Sequence, residues 1–169
     1  MGVVHIKSTP ITNADAIPRV VNDGSVTALQ LKEAVAAKEV PATSDANSTV
    51  RMARVPSSAR VAAVIFASAA SGATGQVHIG IYETAANGGA VVDADFFASA
   101  LDPGGGAIAS TDVTHEAGGS GFTLAKAEMP LWQALGLTAD PNKDYDVALT
   151  VAEAIADATV MKLAVRYGV

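Results

Sequence analysis

The feature that most constrains this chain is a two-residue hydrophobic period, repeated in short runs. Val77, Ile79 and Ile81 take alternate positions in Gln76 to Tyr82. Tyr145, Val147, Leu149 and Val151 alternate with Asp144, Asp146, Ala148 and Thr150. Thr159, Met161, Leu163, Val165 and Tyr167 alternate with Val160, Lys162, Ala164 and Arg166. Successive side chains of a strand point to opposite faces, so this spacing predicts strands with one covered face. Thr49 to Val55 is β-branched and semi-alternating. Arg60 to Ser68 is apolar at both parities: Val61, Ala63 and Ile65 at one, Ala62, Val64 and Phe66 at the other. That suits a central, fully covered strand.

Turn residues separate the runs. Pro56-Ser57-Ser58-Ala59, Ser71 to Gly75 and Asn87-Gly88-Gly89 all read as tight connections. Glu153 to Ala158 would link the last two strands as a hairpin. Val26 to Val40 suits a helix by its Ala and Lys content. It reads better as a strand, because Asp23-Gly24-Ser25 precedes it and Pro41 follows. Two short helices are expected. In Asp93 to Leu101, Asp93 caps a face of Phe96, Phe97, Ala100 and Leu101, and Asp102-Pro103-Gly104 stops it. In Pro130 to Leu135, Leu131, Trp132 and Leu135 form a core stripe and Gly136 takes the C′ position. Gly104 to Gly121 should be loops, with one short strand near Ile108 or Val113. The fold class is all-β: an antiparallel β-sandwich, jelly-roll-like, with two short inserted helices.

The chain's 169 residues suit one domain. Residues 26–169 form a single β-sandwich domain, preceded by an extended N-terminal arm over 1–25. There Pro10, Asn13, Asp15, Pro18, Asn22, Asp23 and Gly24 should interrupt any regular element. Val3, Val4 and Ile6 are the candidate partner contacts. Their segment can add a strand to an exposed sheet edge of a neighbour.

A net charge of -6 argues against a nucleic-acid partner. Hydrophobic residues are 50% of the chain and charged residues 17%, which argues against disorder. So little charge also points to a surface that meets other protein. The longest uncharged apolar stretch, Val61 to Ala70, is half the roughly 20 residues a bilayer needs, so no membrane partner is expected. The absence of cysteine excludes thiol catalysis and Cys-ligated metals.

The remaining chemistry is sparse. His5, His78 and His115 lie far apart in sequence. No Gly-x-Ser-x-Gly elbow occurs, and Gly104-Gly105-Gly106 lacks the Lys-Ser or Lys-Thr of a phosphate loop. Capping accounts for Asp93 and Asp95. Asp140, Asn142, Asp144 and Asp146 have calcium-loop spacing. The pattern fails at Tyr145, where Gly is needed, and at Val151, where Glu is needed. No catalytic residue, cofactor or metal is assigned, and the chain is read as a non-enzyme.

Several segments nevertheless stand out. They are Val91-Val92-Asp93-Ala94-Asp95-Phe96-Phe97-Ala98-Ser99-Ala100, Thr111-Asp112-Val113-Thr114, Pro130 to Leu137, Asp140-Pro141 through Val147, and Arg54 to Val61. With these the chain resembles small structural proteins of tailed bacteriophages, from about Lys7 to Val169. The resemblance implies a virion protein, foremost a head decoration or cement protein on the capsid surface, made in the host cytoplasm. Its implied partners are the major capsid protein and itself, as homotrimer or homodimer. Alternatives are a tail or head–tail connector component, or a carbohydrate-binding β-sandwich adhesion module.

Overall fold

The computed structural model describes residues 7–22, 24 and 30–169. Each alternating run becomes a strand. The strands are β1 (Leu31–Val40), β2 (Thr49–Pro56), β3 (Arg60–Ser68), β4 (Gln76–Glu83), β5 (Val91–Leu101), β6 (Ile108–Asp112), β7 (Asp144–Glu153) and β8 (Thr159–Gly168). They form two four-stranded sheets, ordered β1-β8-β3-β6 and β2-β7-β4-β5, with every pair antiparallel. Pairing 1 with 8, 2 with 7, 3 with 6 and 4 with 5 is that of one long hairpin rolled into two facing sheets. This is the eight-stranded jelly roll.

Burial drives the roll. Val64, Phe66, Met161, Leu163 and Val165 from one sheet meet Val77, Ile79, Ile81, Val147 and Leu149 from the other, all essentially inaccessible to water. At about 1.5–3 kcal/mol for each such side chain, this one layer outweighs local preferences in the strands it joins. A one-turn helix, Leu131–Ala134, closes one end by burying Leu131 and Ala134.

The alternation in β7 and β8 is as expected, but their pairing is not. The two strands lie in different sheets and form no hairpin. Their linker crosses between the layers and carries Ile155 into the core. Thr74 Oγ1 donates to the Ala154 carbonyl at 3.0 Å, and the Asp157 N–H donates to the Ser71 carbonyl at 2.9 Å.

The helix expected over Asp93 to Leu101 is strand β5. Ile79 and Ile81 of β4 face Ala98 and Asp93 of β5, so the two strands count different numbers of residues over the same span. The surplus residues bulge, and Phe96, Phe97 and Ala98 are buried in succession. A run of adjacent buried residues breaks the period of two and imitates a helical face. A smaller irregularity between Val61 and Ala63 resets β3. Val61, Val64 and Phe66 then face inward, while Ala62 is exposed. Strand β3 is central, yet only one of its faces is covered.

The arm contains a seven-residue helix, α1 (Thr9–Asp15), with Pro10 in its first turn, where a missing N–H is harmless. The breakers therefore bound an element instead of preventing one. The Leu131–Ala134 helix forms where expected, with Gly136 at φ 81° after it. Trp132, however, is half-buried, because Leu131 and Ala134 take the two core positions of a single turn.

Candidate interaction surfaces

The two sheets treat their outer faces differently. The β2-β7-β4-β5 sheet is roofed by its own chain. The Arg51 guanidinium lies 4.0 Å above the Tyr82 ring and donates to the Gly89 carbonyl at 2.9 Å. Arg54 grips Asp146 with two hydrogen bonds, of 2.7 and 3.3 Å. The β5 backbone at Asp93 and Ala94 stacks directly on Gly80. Beneath this roof Tyr82, Asp146, Ala148 and Thr150 are all buried, although their parity points them away from the core. Tyr82 Oη and Thr150 Oγ1 satisfy each other at 2.5 Å.

The outer face of β1-β8-β3-β6 has no such roof among the described residues. Leu31 is 67% exposed, Val35 55% and Val160 50%. Ala37 and Ala62 are exposed, and Ala63, Ile65 and Ala67 are half-buried. Register places Val35, Ala164 and Ile65 side by side across three strands. The small side chains make this face flat. An ion pair on this face joins Arg166 to Glu33 at 2.9 Å.

The edge of β5 is closed by the chain itself. The N–H groups of Ser120, Gly121 and Phe122 donate to the carbonyls of Asp95 and Phe96 at 2.8–3.2 Å. Asp93 and Asp95 anchor that loop and cap no helix. The Ser120 hydroxyl lies 2.9 and 3.0 Å from the Asp93 oxygens and 2.7 Å from Asp95 Oδ1. Burial pushes the Asp93 carboxyl above the ordinary range, while the Ser120 hydrogen bond holds Asp95 below it.

The histidines in the described residues serve as braces. His78 Nδ1 accepts the Ala100 N–H at 3.0 Å, with Ser99 Oγ at 3.1 Å. His115 stacks on Phe122, ring centroids 5.2 Å apart. The residues with calcium-loop spacing disperse. Asp140 accepts from the Ser57 hydroxyl and the Asn142 N–H, and Asp146 is taken by Arg54. Among the described residues no group of three or more His, Asp or Glu is placed to hold a metal.

The arm is bonded to itself. Lys7 pairs with Asp15 at 2.7 Å, Asn13 donates to Asn22 at 2.9 Å, and Asn22 donates to the Pro10 carbonyl at 2.9 Å. Helix α1 buries no residue, and Ile11, Ile17, Val20 and Val21 are exposed, Ile17 almost completely at 99%. The predicted contacts Val3, Val4 and Ile6 lie outside the described residues. No helix among the described residues is long and apolar enough to cross a membrane.

Fold and surfaces together define the class: an eight-stranded jelly roll with one self-roofed sheet, one open sheet and an apolar arm. No protein-family model and no curated protein matches the sequence. Among solved structures the chain is similar to a chain of the "Cyanophage Pam1 capsid asymmetric unit", at 18% identity and a TM-score of 0.56. The match covers 92% of this chain and 95% of that chain. At that identity the likeness is one of fold.

Proposed function

We propose that this protein is a non-enzymatic virion structural protein that binds the outside of a phage capsid and braces it. The observation that carries this reading is the shared fold, matched over nearly the whole of both chains, with a chain from a phage capsid asymmetric unit. The surfaces support it. A bracing protein needs a rigid β-core, an apolar arm to lie on a neighbour and no chemistry. Here the arm leaves four large aliphatic side chains in water. Its partners would be the major capsid protein, met by the arm including Val3, Val4 and Ile6, and further copies of itself. No cofactor, nucleic acid or membrane enters the reading.

The test is addition of purified protein to shells that lack it, followed by sedimentation. Saturable binding in hundreds of copies per particle, with DNA retained to higher temperature, is the expected result. Removal of residues 1–20 should weaken binding while leaving the β-core folded. A few copies per particle would instead identify a tail or connector part. Absence of binding, with retention on a glycan surface, would favour the adhesion module.

A further inference from the structure

The open face of the β1-β8-β3-β6 sheet has the properties of a surface made to meet itself. We propose that it packs face to face on the same face of a second copy, about a twofold axis. The proposal rests on this chain's own surface and stands or falls separately from capsid binding.

Charge is the first argument. The chain carries a net -6. Its outward rows on this sheet carry Glu33, Glu39 and Asp112 against Arg60, Lys162 and Arg166, which sum to zero. A neutral face on an acidic protein escapes the repulsion that keeps like-charged copies apart. Glu39 and Lys162 have no ion-pair partner among the described residues and lie diagonally on neighbouring strands, Glu39 opposite Val160 and Lys162 opposite Ala37. They have opposite signs, so a twofold axis can bring each Lys162 to a Glu39 of the other copy.

Area is the second. Strands rise about 3.3 Å per residue and lie about 4.8 Å apart, so three long strands and the short β6 span roughly 500 Å². Two such faces bury about 1,000 Å² in all, the lower threshold for a specific interface. The flat row of Val35, which is exposed, Ile65, which is half-buried, and Ala164, which is already buried, lies near the centre of the face, with exposed Leu31 and Val160 towards opposite ends of it. Two sheets of this kind meet about 10 Å apart with their side chains interdigitated.

The neighbouring edge is blocked as an alternative. Lys32 and Lys38 occupy rows of β1 that elsewhere turn inward, and both are exposed. Twofold pairing of two β1 edges centred on Val35 would set Lys32 against Lys38. Centring it on Ala36 would set Glu33 against Glu39. Like charges directly opposite are unfavourable, and inward-row charges are a known guard of sheet edges.

Sedimentation at tens of micromolar tests the proposal. The wild-type chain should run at about 34 kDa, twice its 17.0 kDa, and keep that mass in high salt because the contact is mainly apolar. The double variant Val35→Arg, Val160→Arg should run as a monomer with an unchanged circular dichroism spectrum. Lys162→Glu alone should weaken the dimer about tenfold, and adding Glu39→Lys should restore it. This swap also serves if the arginine variants fail to fold. A wild-type monomer, a trimer, a folded arginine variant that stays dimeric, or a charge swap without rescue would overturn the proposal. So would loss of the dimer on removing residues 1–20 with the face variants still dimeric, since the arm would then be the occupant.

Discussion

Replacing Gly80 by Ala tests the strand bulge that displaced the expected helix. A Cβ at position 80 would lie 2.2 Å from the Asp93 carbonyl oxygen, 2.3 Å from the Ala94 carbonyl carbon and 2.4 Å from its oxygen. All three are backbone atoms, so no rotamer change relieves them. Ordinary contact begins near 3.4 Å, so β5 must withdraw by about 1 Å. Overpacking of this kind costs about 1–3 kcal/mol. Alanine regains about 0.5–1 kcal/mol over glycine inside a strand. Withdrawal also strains the packing of Phe96 and Phe97, whose rings meet edge to face with centroids 5.0 Å apart. We therefore place the net loss near 2 kcal/mol, about 4–8 °C in Tm for a chain of this length.

Gly88→Ala supplies the comparison. Gly88 has φ 95° and open space around it, so alanine there meets only left-handed strain, about 1–2 kcal/mol. Urea melts of the two variants separate a clash from a backbone preference. Hydrogen exchange at the Ser120 amide, which is bonded to the Asp95 carbonyl at 3.0 Å, should accelerate in Gly80→Ala and stay unchanged in Gly88→Ala. A Gly80→Ala protein within 0.5 kcal/mol of wild type, with Ser120 still protected, would refute the packing of β5 on Gly80; that margin is the usual scatter of neutral changes.

Three further outcomes are expected. Phe97→Ala should lose about 3–5 kcal/mol by urea denaturation, because the ring is fully buried between Phe96 and Phe122. Trp132→Ala should lose clearly less, about 1–2 kcal/mol, and the native fluorescence of Trp132 should be partly quenched by iodide, because that residue is only partly buried. Stability should also fall in alkali. Burial pushes the Tyr145 phenol up, and the hydrogen bond to Glu83 at 2.6 Å pushes the Lys143 ammonium up. Both groups keep their protons more tightly when folded. Their contribution is thus complete below about pH 10, where the unfolded side chains titrate, and is lost as pH rises through the raised values. A urea midpoint that does not move between pH 9 and pH 11 would contradict this.

The strands were legible wherever one face alone was apolar. Val77, Ile79 and Ile81 announce β4, and the alternations of β7 and β8 survive unchanged into the fold. The jelly roll was legible as a class from strand spacing and turn residues. Pairing was not, because period two says which face is covered and nothing about which strand lies alongside. Glu153 to Ala158 therefore read as a hairpin, although it crosses between sheets. In β5 the cause is different. Phe96 and Phe97 are adjacent and both buried, which a regular strand forbids, and only the extra residues set against β4 make it possible. The calcium-like spacing likewise dissolved once Arg54 and Ser57, distant in sequence, claimed Asp146 and Asp140.

The surfaces were the least legible part, for a reason that bears on function. Ala148-Thr150 in β7 and Ala164-Arg166 in β8 are similar stretches of alternating strand, and their outward residues look alike in sequence. The first pair is buried, because Arg51, Arg54 and the β5 bulge arrive from elsewhere in the chain to roof it. Of the second, Ala164 is also buried but Arg166 is exposed, on a face that no element among the described residues covers. A period of two cannot register this difference, since it depends on where three remote segments finish. A chain that spends two arginines and a strand bulge on covering one sheet, yet leaves valine and leucine exposed on the other, has one self-contained half and, on the proposals above, one half open to a partner. The arm extends the second half, with its polar groups bonded internally and its aliphatic side chains turned outward. Ordering such a preformed arm on a neighbour loses less entropy than ordering a loose one, so more of its apolar contact appears as affinity.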